Sequence, residues 1–141
     1  MSLGSLSGLG CFMGALYMPF RYVGLEKYLG KVIGSGQCVE FVKLATGAPQ
    51  TSGWKRGQLV KGNPIPMGTA IATFDPDGKY GNHEDGTSHA AILLSQDARG
   101  LRVLDQWAGT HPSPVHERVI AFDDLKTPVN NGNNFFVIEP A

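Results

Sequence analysis

The chain has 141 residues, and its 12 basic and 12 acidic side chains cancel to a formal net charge of zero. That length fits one domain with a core of its own, and the charge balance, with no basic run, argues against a nucleic-acid-binding protein. Two cysteines, Cys11 and Cys38, are too few for a disulfide scaffold or a cysteine-rich zinc site, and no apolar run is long enough for a membrane helix.

The first charged residue is Arg21. The apolar stretch before it therefore lacks the positive start of a secretory signal. Residues 1–20 are expected to be a poorly ordered or loosely docked extension, and Met18 is an alternative start that would make residues 1–17 an upstream or vector-derived addition. Residues 21–141 are expected to form a single domain. Residues 25–30 predict one short helical turn ended by glycine, and Gly34-Ser35-Gly36 predicts a flexible turn. From residue 38 to 46, apolar side chains at 38, 41, 42 and 45 follow the period of an amphipathic helix. Gly47 suits a left-handed C-terminal cap, and Pro49 forbids continuation.

Residues 49–68 are rich in glycine, proline and polar side chains and are expected to be a long surface loop carrying Trp54. Strands are expected over residues 69–74, 88–95, 101–107, 117–122 and 134–138, with a polar loop at 75–87. A helical region followed by a run of strands predicts an α+β fold, with N-terminal helices packed on an antiparallel β-sheet.

Three residues carry chemistry. Cys38 opens the predicted helix, where unpaired backbone N–H groups and the helix dipole favour a thiolate. A symmetric hairpin centred on Ala98 would make His89 and Asp105 diagonal neighbours on one face of a two-stranded ribbon. An acid beside an imidazole orients the ring and stabilises its protonated form. Ala90 and Ala91 are small enough to let helix and sheet pack closely around that histidine.

The segment Gly36-Gln37-Cys38-Val39-Glu40-Phe41-Val42 resembles the cysteine motif of CHAP domains, in which Gly-Gln-Cys opens a helix. Ser88-His89-Ala90-Ala91-Ile92 resembles the histidine motif of CHAP and NlpC/P60 domains, and Val103-Leu104-Asp105-Gln106-Trp107 resembles the third CHAP motif, an acid followed by glutamine. That family usually has Glu at the acid and Asn two places on, where this chain has Asp105 and Trp107. The resemblance spans about residues 30–125. It implies a papain-like NlpC/P60-type fold and a cysteine amidase or endopeptidase with Cys38, His89 and Asp105 as catalytic residues and no cofactor. The implied substrate is the peptidoglycan stem peptide, cut at the D-glutamyl-diaminopimelate bond or at a crosslink. With no wall-binding module, the chain most resembles type VI secretion amidase effectors. That implies synthesis in a bacterial cytoplasm, action in a target cell's periplasm, a cognate immunity protein and a monomeric enzyme. The alternatives are a binding scaffold that keeps the fold without catalysis, and a housekeeping or phage cell-wall hydrolase.

Further candidates surround the site. The backbone N–H of Cys38 is the expected oxyanion donor, with Gln37 a candidate second one. Trp54 and Trp107 are candidate walls of a substrate groove, and His83 a candidate cleft residue. The four histidines, His83, His89, His111 and His116, show no zinc-binding spacing, and the Pro residues around His111 and His116 suggest a loop. Asp75-Pro-Asp77-Gly78 fails the calcium-loop pattern, because Tyr80 and Gly86 stand where that pattern needs Gly and Glu. No metal is expected.

Overall fold

Cys38–Thr46 forms the amphipathic helix that its spacing predicts, here α1. Gly47 closes it at φ 79°, a left-handed cap that costs glycine nothing. A computed structural model describes the chain at residues 20, 21 and 24–141. Within those residues six strands form one antiparallel sheet: β1 (Trp54–Leu59), β2 (Ala70–Ala72), β3 (Ala90–Gln96), β4 (Gly100–Trp107), β5 (Ser113–Ala121) and β6 (Phe136–Pro140), in the spatial order β1-β6-β2-β3-β4-β5. The expectations for residues 1–19, including the position of Cys11, lie outside the described residues. Phe20 and Arg21 are docked: the Phe20 carbonyl accepts from Ala70, and the Arg21 guanidinium donates to the Met67 carbonyl.

The sheet is apolar on both faces. Val39, Phe41, Val42 and Ala45 of α1 pack with Ala70, Ala72, Ala90, Ile92 and Leu104. On the other face Ile71, Ala91, Leu93, Leu101 and Val103 pack with Val60, Ile120, Phe135 and Val137. This double burial is why residues 90–93 read as an unbroken apolar run rather than an alternation. Each fully buried side chain of the size of Phe41 or Val42 is worth about 1.5–3 kcal/mol of burial. The three alanines under the helix let its N-terminus sit close to the start of β3.

Three expectations are corrected. The α+β class holds, but α1 is the single α-helix among the described residues, not one of several N-terminal helices. Leu25–Tyr28 is only a 3-10 turn, and Gly30, Gly34 and Gly36 all take positive φ on the way to α1, which a continuing helix cannot do. Residues 49–68 are not all loop, because Trp54 opens the edge strand β1. That strand hid from periodicity because five of its six residues reach solvent at least in part, so no apolar alternation marks it. A Cβ on Gly57 would come within 2.7 Å of the Val137 carbonyl, so glycine is required where β1 bulges against β6. Finally, β5 starts at Ser113 and takes in His116, although Pro114 stands inside it. Pro114 lies where the β4–β5 register shifts between Asp105 and Trp107, and that bulge accommodates a residue with no N–H.

Candidate active site

Cys38 is the first residue of α1, directly after Gln37 at the N-cap, and is a half-buried free thiol. His89 stands one residue before β3. Its backbone is clamped by Thr73 in both directions: the His89 N–H donates to Thr73 Oγ1 and the Thr73 N–H donates to the His89 carbonyl, both at 3.0 Å. The ring is thereby fixed at the open end of the strand, between Cys38 on one side and Asp105 on the other. His89 Nε2 lies 2.7 Å from Asp105 Oδ2, and the Asp105 carboxylate has no solvent exposure. With Nε2 held by the acid, Nδ1 is the ring nitrogen left for the thiol.

The electrostatics favour a thiolate–imidazolium pair. Burial alone would push the Cys38 thiol up. A hydrogen bond and the positive charge of His89, with the Ala90 N–H and the Tyr80 hydroxyl, outweigh burial and hold it below its ordinary value. Burial would push His89 down, but Asp105 and Cys38 together raise it to about 9. Asp105 is likewise pushed up by burial, yet His89 and Arg118 keep it below the usual carboxylate range.

Three more residues complete the site. The buried Gln106 carboxamide accepts from the Ile33 N–H at 2.9 Å and donates to the carbonyls of Ile33 at 2.9 Å and Gln37 at 2.8 Å. It ties the turn that delivers Cys38 to the strand that delivers Asp105. The Tyr80 hydroxyl lies 3.9 Å from Cys38 Sγ. Burial and the facing thiolate push its pKa far up, so it remains a donor. Arg118 grips Asp105 with Nε at 3.1 and 3.0 Å and Nη2 at 2.7 Å.

This arrangement brings a thiol, an imidazole and a buried carboxylate into one contiguous row, a set that can support nucleophilic amide hydrolysis. Residues 19–138 match the family "Domesticated amidase effector 2". The chain belongs to that family. Among its relatives, a type VI secretion amidase effector 2 protein of Salmonella typhi is 34% identical over 135 residues, covering 86% of this chain and all of that one. A domesticated amidase effector 2 of Ixodes scapularis is 41% identical over 137 residues, covering 93% of this chain and 84% of the relative. The solved structure of a type 6 secretion amidase effector 2 superposes with a TM-score of 0.75 at 33% identity, over 88% of this chain and 96% of that chain. This amidase effector thus has the enzyme class and the α+β architecture that its motifs imply.

The remaining candidates of this amidase effector fall in different places. Gln37 contributes its carbonyl to Gln106, and its side chain is exposed at the N-cap with no hydrogen bond of its own among the described residues. Trp107 lies beside the site: its indole N–H donates to the His111 carbonyl, and with His89, Arg118, Val129 and Asn130 it lines a cavity of about 250 Å³. Trp54, with Lys55, Lys79 and Tyr80, lines a cavity of about 580 Å³ but is itself almost fully buried. Its indole is 1% exposed, packs against the Tyr80 ring at 4.8 Å and donates to the Pro49 carbonyl, so it supports Tyr80 from beneath. His83 pairs with Asp75 at 2.9 Å and lines a separate cavity of about 340 Å³ with Thr73, Phe74 and Asp85. His116, expected in a loop, stands opposite Asp105 in the β4–β5 ladder, with Nε2 3.7 Å from Asp105 Oδ1. Tyr80 and Arg118 gave no local signal in the sequence, since each is joined to its partner only by tertiary pairing. Gln106 was visible as part of the third motif, but its role was not.

Proposed function

We propose that this amidase effector hydrolyses an amide bond in the stem peptides of bacterial peptidoglycan, with Cys38 as nucleophile, His89 as acid and base, and Asp105 as the residue that orients His89. The observation that carries this reading is the continuous chain from the Cys38 thiol through His89 to the buried Asp105 carboxylate. The Cys38 thiolate attacks the carbonyl carbon, and a C–S bond forms as the C=O electron pair moves to oxygen. The backbone N–H of Cys38, free at the first turn of α1, and the Tyr80 hydroxyl donate to that oxyanion. As the C–N bond breaks, the imidazolium of His89 gives its proton to the leaving amine. Water then attacks the thioester, His89 takes the proton from the water, and the acid departs as the thiolate returns.

The bond is the D-glutamyl-diaminopimelate bond or a crosslink. A type VI setting, with action in the periplasm of a target cell and an immunity protein in the producer, is supported by the Salmonella typhi relative. The Ixodes scapularis relative, named a domesticated amidase effector and 41% identical, supports the same amidase reading. The test is mass spectrometry of muropeptides after digestion of purified sacculi. New stem-peptide fragments should appear with the wild type and not with Cys38→Ala. Sacculi left intact at every pH between 5 and 10 would overturn the reading in favour of a binding scaffold. Tyr80→Phe should lower kcat by about 10²–10³-fold with little change in KM, as loss of one oxyanion donor does.

A further inference from the structure

The acid of the site is shared. Asp105 has no solvent exposure and faces three titratable or charged groups: His89 before β3, and Arg118 and His116 on β5. Arg118 makes the larger claim, with three contacts of 2.7–3.1 Å against one of 2.7 Å from His89. The guanidinium is itself held in place. Its plane lies over the Trp107 ring, with Cζ 5.0 Å from the centroid, and Nη1 reaches Asn130 Oδ1 at 3.4 Å. So much investment in a residue that touches neither the thiol nor the leaving group calls for a reason.

The reason lies in charge balance through the cycle. With the thiolate–imidazolium pair formed, Cys38, His89, Asp105 and Arg118 carry alternating charges that sum to zero. When His89 hands its proton to the leaving amine and Cys38 is acylated, two of those charges vanish together. A buried carboxylate facing a neutral ring would then remain. An isolated buried carboxylate is costly, so the His89–Asp105 couple would hold its proton tightly, whichever atom carried it. Arg118 supplies the charge that makes this state accessible.

We propose that Arg118 is a positioning residue of the reaction, acting through Asp105 to fix the carboxylate and to provide the countercharge that lets His89 release its proton at the acylation step. This rests on the assignment of His89 as the acid of the reaction. Arg118→Gln keeps donors at the site but removes the charge, and Arg118→Lys keeps the charge with a poorer fork. The measurement is an NMR titration of the His89 ring in each variant, with no substrate present, alongside kcat and KM against pH on purified sacculi. In Arg118→Gln the His89 midpoint should rise by about one pH unit. The alkaline limb of the activity profile should rise with it, and kcat should fall about tenfold while KM holds. Arg118→Lys should keep the midpoint near that of the wild type and recover part of the rate. A folded Arg118→Gln with an unmoved or lowered midpoint would overturn the proposal, and so would a Lys variant that behaves like the Gln variant. Should Arg118→Gln fail to fold, a raised midpoint in Arg118→Lys would overturn it too. If the wild type cleaves nothing, the functional assignment fails, while the titration still reports whether Arg118 sets the protonation of His89.

Discussion

The His89 ring and the Asp105 carboxylate meet at 2.7 Å across a diagonal of the β3–β4 ribbon. Ile92 stands opposite Leu104 and Leu93 opposite Val103, and continuing that register puts Ala91, not His89, across from Asp105. Nearer the hairpin loop the pairing is offset by one residue, with Ser95 opposite Arg102, and the bulge at Leu94 absorbs the difference. The diagonal leaves the imidazole projecting past the end of the strand, where it reaches the helix start as well as the acid.

Loss of the acid's charge should therefore be felt in turnover rather than in binding. Asp105→Asn is expected to lower kcat by about 10–10³, because an amide cannot stabilise the imidazolium and favours the wrong tautomer. KM should barely change, since Asp105 lies behind the ring. Steady-state kinetics at the pH optimum decide the point, and a fully active Asp105→Asn would remove Asp105 from the mechanism.

The pH dependence has a definite sign. In the proposed mechanism the active form carries a thiolate and an imidazolium. Activity should rise as the depressed Cys38 thiol ionises, and fall as His89 loses its proton near pH 9. In His89→Ala the hydrogen bond and charge of His89 are gone, while the Ala90 N–H and the Tyr80 hydroxyl remain, so the pH at which iodoacetamide alkylates Cys38 half-maximally should move up. An unchanged alkylation profile in His89→Ala would show that His89 does not set the state of the thiol.

Gln106 should matter for stability and rate together. Gln106→Leu leaves the Ile33 N–H without its partner and takes one of two donors from the carbonyls of Ile33 and Gln37, which keep the N–H groups of Gly36 and Glu40. The expected cost is about 1–3 kcal/mol. Urea denaturation measures the first effect. The second is a loss of kcat as the Cys38 turn loosens, and a variant as stable and as active as the wild type would contradict both.

Cys11→Ser should leave activity nearly intact. Cys38 is a free thiol, and a bond from Cys11 would consume the nucleophile. Mass spectrometry of the active protein under non-reducing conditions should find no bridge between the two.

What the amino-acid sequence determined by itself is local chemistry. The helix from Cys38 to Gly47 is written in its spacing and its cap, and the apolar strands that follow give the α+β class. The hairpin register near His89 was legible from the loop, because a hairpin centred on Ala98 pairs Ile92 with Leu104 and Leu93 with Val103. What the tertiary structure alone decided is everything joined across unrelated segments. Trp54 had to pair with Pro140 before its strand existed. Tyr80 had to fold over Trp54 before its hydroxyl could reach the thiol. Arg118 had to cross from the edge strand to claim Asp105. Such contacts carry no period or motif, because their stability comes from burial and charge pairing that exist only once the sheet has closed.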